Sequence, residues 1–460
     1  MDAELLERFQ HLRLGNRFGF GEMERVLEWW GRKMEFPDDS AVHVNMAVKT
    51  KRPAPPAAWG RHARVLLSVF LAAVSLVAAL SLLTNRMVAR WDTWYYRDMA
   101  INGLVGNHHL ATPFAYRPVV PLTVFAISRV LRTDPETTFH AATHFIAVIL
   151  LILAFYWTRS FGGSELAAWC GMLALGLNFL MVRYPLLTGT MIDVYAYVFV
   201  LLAFWGVLRR RFYPVLVLCA AGLFLKEFMV VPLLAQAGVL VWETPRERWR
   251  SLWRPLGLTA FAIAFYIIVT RATIPVVESF DHIDPHRPET LLFLITHPLS
   301  PKRWFNIVYS YLSFWLPCLL LITRARWQVV RERLAPYGSA IGFFALVQFV
   351  LMMYGGNNIS IFVGYSLPIL LLVMAALVDG GTPRPWELIL VFAVLVVFNR
   401  IGAHIPTYEE GNWDGFTDFY GGYSTEIRLR SVLRFVEIWA YVGMFQVLRR
   451  VVSYRHSLSS

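Results

Sequence analysis

Long apolar runs separated by short polar segments make up most of the chain after its first 60 residues. Because about twenty helical residues cross the hydrocarbon core of a bilayer, runs of this length predict membrane-spanning helices. Backbone groups in lipid must be satisfied within each segment, and the runs lack barrel-type alternation, so an all-α polytopic protein is predicted. We predict about twelve spans, at residues 63–84, 139–157, 165–183, 191–208, 213–225, 228–242, 254–272, 304–323, 337–354, 359–378, 385–402 and 431–449.

The composition agrees with a membrane protein: 57% of the 460 residues are hydrophobic and only 16% are charged. In soluble domains, about a quarter of the residues are charged. The net charge is +12, and the basic residues cluster in short loops between the apolar runs. This distribution is typical of the cytoplasmic loops of membrane proteins, so no nucleic-acid partner is predicted. The three cysteines lie within apolar runs and are predicted to be core residues rather than a disulfide or metal site.

The distribution of basic residues predicts which loops face the cytoplasm. Arg209–Arg211, residues 245–254 and residues 323–334 are short and strongly basic, and twelve spans place them on one side together with both termini. This sidedness predicts an integral protein of a bacterial inner membrane or of the endoplasmic reticulum. Membrane lipids are therefore its predicted surroundings.

The chain is predicted to divide into three regions. Residues 1–62 read as a polar cytoplasmic segment with short amphipathic helices and a Pro-rich linker, and no cleavable signal peptide is expected. Residues 63–242 hold the first spans and an outer loop at 85–138, and residues 243–455 hold the remaining spans with outer loops at 273–303 and 403–430. Within the first outer loop, the stretch from Tyr116 to Leu131 carries early prolines and terminal arginines, so it is predicted to lie along the outer interface without crossing.

Unusual polar residues concentrate on the predicted outer side. Asp92 follows the first span in RWDTWYYRDMAINGL, Asp193 begins the fourth span, and Lys226 with Glu227 occupies a hairpin tip. In this order and on this common side, the features resemble the GT-C superfamily of integral membrane glycosyltransferases. The resemblance covers the chain to about residue 242 and is architectural beyond that point.

The resemblance implies an enzyme that transfers a hexosyl or pentosyl group from a polyprenyl-phosphate donor to an acceptor on the non-cytoplasmic face, with inversion. The acceptor, whether lipid, glycan or protein, is left open. Asp92 corresponds to the acidic residue of the family after its first span. A carboxylate there can accept the acceptor's hydroxyl proton as general base, a role usually worth about 10²–10⁴-fold. Asp98 and Asp193 are the further catalytic candidates.

Cations and aromatic residues of the same regions extend the candidate site. Arg117, Lys226 and Arg97 are predicted to bind the donor phosphate, since arginine suits bidentate contacts. Sugar- or acceptor-binding candidates share the outer loops or the hairpin tip: Tyr95, Tyr96, Glu227, His108, His109, Trp413 and Asp414. The plainer interpretations stay open: helix caps for both aspartates, an interfacial aromatic belt, a solvated hairpin turn and a headgroup-snorkelling arginine.

No cofactor is firmly predicted. His282, Asp284 and His286 could bind a divalent metal such as Mg²⁺ or Mn²⁺, but solvated loop residues are the favoured interpretation.

Three other functions stay open. A transporter or lipid flippase is disfavoured because internal repeats are not visible and the carboxylates lie near span ends. An oligosaccharide polymerase or ligase, usually built around arginines and histidines of outer loops, is disfavoured by the early Asp92. A non-catalytic scaffold that has retained the fold is the third.

Overall fold

The computed structural model describes residues 56–86, 92–105, 107, 109–110, 114–273, 298–354, 359–381, 383–406, 427 and 429–459. Helices and turns make up this part of the chain, which contains no β-strand. The all-α prediction is confirmed at this level. Most of residues 1–62 and most of the predicted outer loops 273–303 and 403–430 lie outside the described residues.

Apolar segments form most helices of the first half of the chain, and α2 forms from a more polar one. They are α1 Pro56–Leu82, α2 Asp92–Asn102, α3 Val119–Leu131, α4 Pro135–Ser160, α5 Glu165–Leu177, α6 Tyr184–Thr188, α7 Asp193–Leu208, α8 Phe212–Leu223, α9 Val230–Glu243 and α10 Trp253–Thr273.

The second half continues in the same way. Its helices are α11 Pro301–Phe314, α12 Leu316–Leu321, α13 Arg324–Leu334, α14 Gly338–Tyr354, α15 Ile359–Gly364, α16 Leu367–Asp379, α17 Pro385–Phe398 and α18 Leu429–Ser459.

Five helical segments of the described chain are long and apolar enough to cross a membrane. They are Ala63–Leu82, Pro135–Ser160, Arg246–Thr270, Arg324–Tyr354 and Leu429–Val452. A sixth arises if the bent pair Glu165–Leu177 and Phe179–Thr188 counts as one span. The described chain is therefore membrane-like, while the count of twelve crossings stays a prediction.

The other six predicted spans coincide with helices that are short or interrupted. α8 has 12 residues and α9 has 14, and at 1.5 Å per residue they extend about 18 and 21 Å. A hydrocarbon core is about 30 Å thick, so neither helix reaches across it alone. The hairpin that the two helices form carries a 3₁₀ turn, Glu227–Met229, at its tip.

The break between α5 and α6 bends the chain by 63°. Asn178 precedes a π-helical turn, Phe179–Arg183, and its side chain accepts a hydrogen bond from the backbone N–H of Leu180 at 3.0 Å. Arg183, which is fully buried, donates to the backbone carbonyl groups of Leu83 and Arg400, at 3.0 and 2.7 Å. The break is thus tied to the end of α1 and to the chain after α17.

Six helices pack together around the region of interest. α4 packs against α5 and α7, and α8 packs antiparallel to α7, because a short turn at Arg209–Arg211 joins them. α2 packs on both α3 and α4, which brings the start of α2 close to this bundle. The first residue of α7 and the tip of the α8–α9 hairpin consequently lie at the same end of the bundle as α2.

Candidate functional site

An ion pair between Asp193 and Lys226 lies inside the bundle. Asp193 is the first residue of α7 and Lys226 directly precedes the 3₁₀ turn at the hairpin tip. Only 2% of Asp193 and 6% of Lys226 is exposed. Charges this deeply buried are tolerated when they are paired, and here the Lys226 ammonium donates to Asp193 Oδ1.

A second ion pair joins Arg117 to Glu227. The guanidinium of Arg117 contacts both carboxylate oxygens of Glu227, with Nε to Oε2 at 2.7 Å. This bidentate geometry is the strong form of an arginine–carboxylate contact. Nη1 of Arg117 also donates to the hydroxyl of buried Tyr96 at 2.7 Å. The pair links the segment before α3, the hairpin tip and α2.

Asp92 completes the group, which we call the central charge cluster: Asp92, Arg117, Asp193, Lys226 and Glu227. Asp92 is the first residue of α2 and is partly buried. Its own backbone N–H donates to the carboxylate, and no other side chain of the described residues donates a hydrogen bond to it or forms an ion pair with it. Burial raises the pKa of Asp92 above its ordinary value of 3.8, while the positive charges of Lys226 and Arg117 pull it back in part and the charge of Asp193 raises it further.

Several candidates from the sequence are thus brought together. Asp92 and Tyr96 share one face of α2, as their spacing predicts, and that face turns towards Arg117 and Lys226. Asp193 and Lys226, 33 residues apart at the start of α7 and just after the end of α8, pair with each other. The cluster therefore has one carboxylate without an ion-pair partner beside two paired cations.

Arg97 and Asp98 lie on other faces of α2. Arg97 pairs with Glu136 at the start of α4, with Nε to Oε2 at 2.8 Å. Asp98 accepts hydrogen bonds from the side-chain amides of Asn102 and Asn107, at 2.8 and 2.7 Å. Arg97 therefore fastens α2 to α4, and Asp98 shapes the turn that follows α2. Neither contacts a member of the central charge cluster by hydrogen bond or ion pair.

Tyr95 packs on an aromatic residue that borders the cluster, since Cζ of Arg117 lies 5.8 Å from the ring centroid of Phe114. The ring of Tyr95 stacks on Phe114, with 4.7 Å between ring centroids and an interplanar angle of 8°. It borders a small apolar group that contains Met99 and Leu110. His109 lies near Trp94, at 6.4 Å between ring centroids in an edge-on arrangement. These contacts make Tyr95 part of the packing of the loop after α2, whereas His109 is exposed.

Several predicted site residues lie outside the described residues. These are His108, Trp413, Asp414, His282, Asp284 and His286. Within the described part of the chain, no group of three or more histidine, cysteine or acidic residues is arranged to hold a metal ion. The proposed Mg²⁺ or Mn²⁺ site therefore stays a prediction that falls on the loop at 273–303. Cys170, Cys219 and Cys318 are buried free thiols, which confirms their interpretation as core residues.

Tyr365 is the functional candidate that the sequence did not single out. Its hydroxyl donates to Asp193 Oδ1 at 2.9 Å, and its fully buried ring stacks on Phe228 with 3.9 Å between ring centroids. Tyr365 lies between α15 and α16, where the helical run is interrupted. A tyrosine within an apolar run resembles an ordinary membrane aromatic, and only the adjacent Ser366 and Pro368 indicate a break there.

A small cavity of about 40 Å³ lies beside the α5–α6 break, and none of its lining residues belongs to the central charge cluster. Its polar lining comes from the break, α11, α15, α17 and α18: Asn178, Ser310, Ser360, Asn399 and Arg434. The side chains of Ser310 and Ser360 hydrogen-bond to each other at 2.8 Å. This volume holds a few water molecules but not a sugar.

Comparison with known proteins adds no assignment to this geometry. No family model, curated protein or solved structure matches the chain. Any function assigned to the protein consequently rests on the central charge cluster and on the motifs around it.

Proposed function

We propose that the protein is a membrane glycosyltransferase of the GT-C type, which transfers a sugar from a polyprenyl-phosphate donor to an acceptor hydroxyl on the non-cytoplasmic face. The observation that carries the proposal is the setting of Asp92. Its carboxylate is partly buried, is not ion-paired, has a raised pKa and lies in the field of Arg117 and Lys226. A base and two cations in one place are what transfer from a lipid phosphate requires.

Asp92 acts as the general base in this reaction. It accepts the proton of the acceptor hydroxyl while that oxygen forms a bond to the anomeric carbon of the sugar. The bond from the anomeric carbon to the phosphate oxygen breaks at the same time, and the electron pair leaves with the lipid phosphate. Attack from the face opposite the leaving group inverts the anomeric configuration.

Both cations keep N–H groups available for the leaving phosphate. The guanidinium of Arg117 has five N–H donors, and three hydrogen bonds engage it, two with Glu227 and one with Tyr96. The ammonium of Lys226 has three, and one bonds to Asp193. A phosphate can therefore bind to the remaining donors while Asp193 and Glu227 hold the cations in place.

The lengths of α7 and α8 indicate the depth of the site. From the basic turn Arg209–Arg211, α7 extends about 24 Å and α8 about 18 Å towards the cluster. In a bilayer core of about 30 Å, the cluster then lies several ångströms below the far headgroups. In this proposal the donor phosphate enters a recess in the protein, where exclusion of water strengthens its contacts with Arg117 and Lys226.

α3 fits the role of the predicted outer-interface helix. It has 13 residues, and its apolar Val130 and Leu131 are 80% and 63% exposed. Exposed apolar residues beside Arg129 suit a helix that lies along the membrane surface. Arg117 lies just before α3, so this placement gives the lipid of the donor a short path to the site. Twelve crossings and two cytoplasmic termini belong to the same proposal.

A second candidate, an ion-coupled transporter or lipid flippase, is favoured by two observations. The α5–α6 pair is a discontinuous helix with a 63° bend, and transporters build their substrate sites around such breaks. The two ion pairs of the central charge cluster also suit a proton-coupled mechanism.

One assay distinguishes these functions. The purified full chain is reconstituted in liposomes with a panel of radiolabelled short-chain prenyl-phosphate sugars and a lipid extract as acceptor. The proposal predicts a labelled acceptor and free prenyl phosphate in equal amounts. Translocation of intact donor, or a proton flux driven by it without cleavage of the sugar–phosphate bond, would support the transporter instead.

A further inference from the structure

Asp193 uses its two oxygens very differently. Oδ1 accepts from both Lys226 and the Tyr365 hydroxyl, whereas Oδ2 is buried and accepts no hydrogen bond. A carboxylate has about four acceptor positions, so half of this group is unused. Buried polar atoms of proteins are nearly always hydrogen-bonded, and one that is not calls for an explanation.

The neighbours of Oδ2 restrict what can satisfy it. A carboxylate oxygen accepts hydrogen bonds, so its partner must carry an O–H or N–H group. A phosphate dianion has none to offer and is repelled by the charge of Asp193. Among the described residues, side-chain contacts link Asp92 to Asp193 only through the rest of the cluster: Tyr96, one turn along α2 from Asp92, accepts from Arg117, which pairs with Glu227. Lys226, next to Glu227, pairs with Asp193. In the proposed reaction, a donor whose phosphate binds Arg117 and Lys226 therefore places its sugar in the region of Asp193.

We infer that Asp193 recognises a hydroxyl group of the transferred sugar through Oδ2, and that Tyr365 is the positioning residue that orients it. This inference rests on the proposed function and assigns Asp193 to substrate selection rather than to proton transfer. Lys226 neutralises the carboxylate and Tyr365 holds Oδ1, so Oδ2 remains for the ligand. A hydroxyl bound there sets the orientation of the sugar ring relative to Asp92.

The surroundings of Tyr365 suit this role. Its ring is held between Phe228, on which it stacks, and Tyr197, at 4.9 Å between ring centroids. Phe228 lies within the 3₁₀ turn that follows Lys226. The same turn therefore supports both partners of Asp193 Oδ1, and the carboxylate cannot rotate without breaking the two contacts together.

Binding of matched ligands tests the inference. The probes are citronellyl phosphate and the same lipid phosphate carrying mannose, glucose, galactose, N-acetylglucosamine or arabinose, titrated against the full chain in detergent. One hydrogen bond to a charged group corresponds to about a tenfold or greater gain in affinity. The wild-type protein is expected to bind at least one glycosylated probe about tenfold more tightly than the bare phosphate.

Substitutions identify the origin of this preference. Asp193→Asn is expected to reduce it to about threefold or less while binding of the bare phosphate persists. Because Asp193→Asn removes the partner of Lys226 and could impair folding, Tyr365→Phe is the second variant: it keeps the charge and is expected to weaken the preference severalfold. Tyr197→Phe is the matched control: it removes a hydroxyl from the same aromatic group, one that donates to the backbone carbonyl of Ile361 at 3.3 Å, and the preference should stay.

Two outcomes overturn different claims. If the wild-type protein binds the bare phosphate and all glycosylated probes equally, or if the folded Tyr365→Phe protein keeps the full preference, the assignment of Asp193 is wrong while the proposed function stands. If no probe, bare or glycosylated, binds the wild-type protein, the proposed function itself is contradicted.

Discussion

At the scale of single residues, the two aspartates of the central charge cluster differ in their partners. Asp193 is held by Lys226 and Tyr365, whereas Asp92 has no ion-pair partner among the described residues. The first arrangement fixes a side chain in place. The second leaves a carboxylate able to exchange a proton with a ligand, and this difference separates their proposed roles.

Lys226→Met is expected to destabilise the protein strongly. It leaves the Asp193 carboxylate buried without its counter-ion, and removing one partner of a buried pair costs about 3–5 kcal/mol. Glu243→Gln is the control, because the Arg210–Glu243 pair is 33% and 40% exposed and such pairs contribute about 0–1 kcal/mol. Unfolding by SDS titration in mixed micelles measures both. Equal losses in the two variants would show that the Lys226–Asp193 pair does not stabilise the fold.

The acidic limb of the pH–activity profile is expected to reflect Asp92. A general base must be ionised, and burial raises the pKa of Asp92 above 3.8. Transfer should therefore fall as pH decreases through a midpoint higher than that of an ordinary aspartate. The measurement is kcat/KM from pH 4 to pH 8, with residual Asp92→Asn activity as reference. An unchanged acidic limb in Asp92→Asn would assign the titration to another group.

At the scale of helices, the sequence predicts where helices lie better than where they break. Runs of apolar residues predicted most of the helical regions, because length and hydropathy are local properties. α13 is an exception, since it forms in residues 323–334, where the sequence predicted a basic loop. The breaks depend on tertiary contacts. Arg183 marked only the end of a predicted span, yet its buried guanidinium ties the α5–α6 break to α1 and to the chain after α17. The carbonyl groups that Arg183 contacts lie 100 and 217 residues away in the sequence. Contacts over such separations produce no periodic pattern in the sequence.

The end of α6 provides a test of packing at the break. Gly189 has φ +68°, and an added Cβ would lie 1.8 Å from Nδ1 of His140. Gly189→Ala is expected to cost about 1–2 kcal/mol from left-handed backbone strain and a further amount from this clash. Adding His140→Ala to the Gly189→Ala protein should restore the stability that the clash removes. A double-mutant cycle of thermal stability measures this coupling between the two positions. Strict additivity of the two substitutions would contradict this contact.

At the scale of the whole molecule, convergence of the cluster was predictable only through sidedness. Asp92 precedes Asp193 by 101 residues and Lys226 follows Asp193 by 33, and the predicted alternation of spans places all three on the same side. Their pairing was not predictable, since Arg117 with Glu227 and Lys226 with Asp193 depend on how helices pack. The sequence likewise did not show that six of the twelve predicted spans correspond to helices that are short or interrupted.

Sidedness can be measured directly. The native cysteines are buried, so Arg132→Cys and Arg248→Cys introduce single exposed thiols at opposite predicted faces. A membrane-impermeant maleimide added to intact cells is expected to label position 132, and to label position 248 only after permeabilisation. The reverse pattern would place the central charge cluster on the side where the proposed lipid-linked donor is not used.

The most direct test compares Asp92→Asn with Asp98→Asn in sugar transfer from the donor that the reconstituted protein uses. The account predicts a fall of about 10²–10⁴-fold in kcat for Asp92→Asn, with donor affinity retained, because the proton acceptor is lost. Asp98 is bonded to Asn102 and Asn107 in the turn after α2, so its substitution should cost about tenfold or less. Undiminished transfer by a folded Asp92→Asn protein would contradict the account.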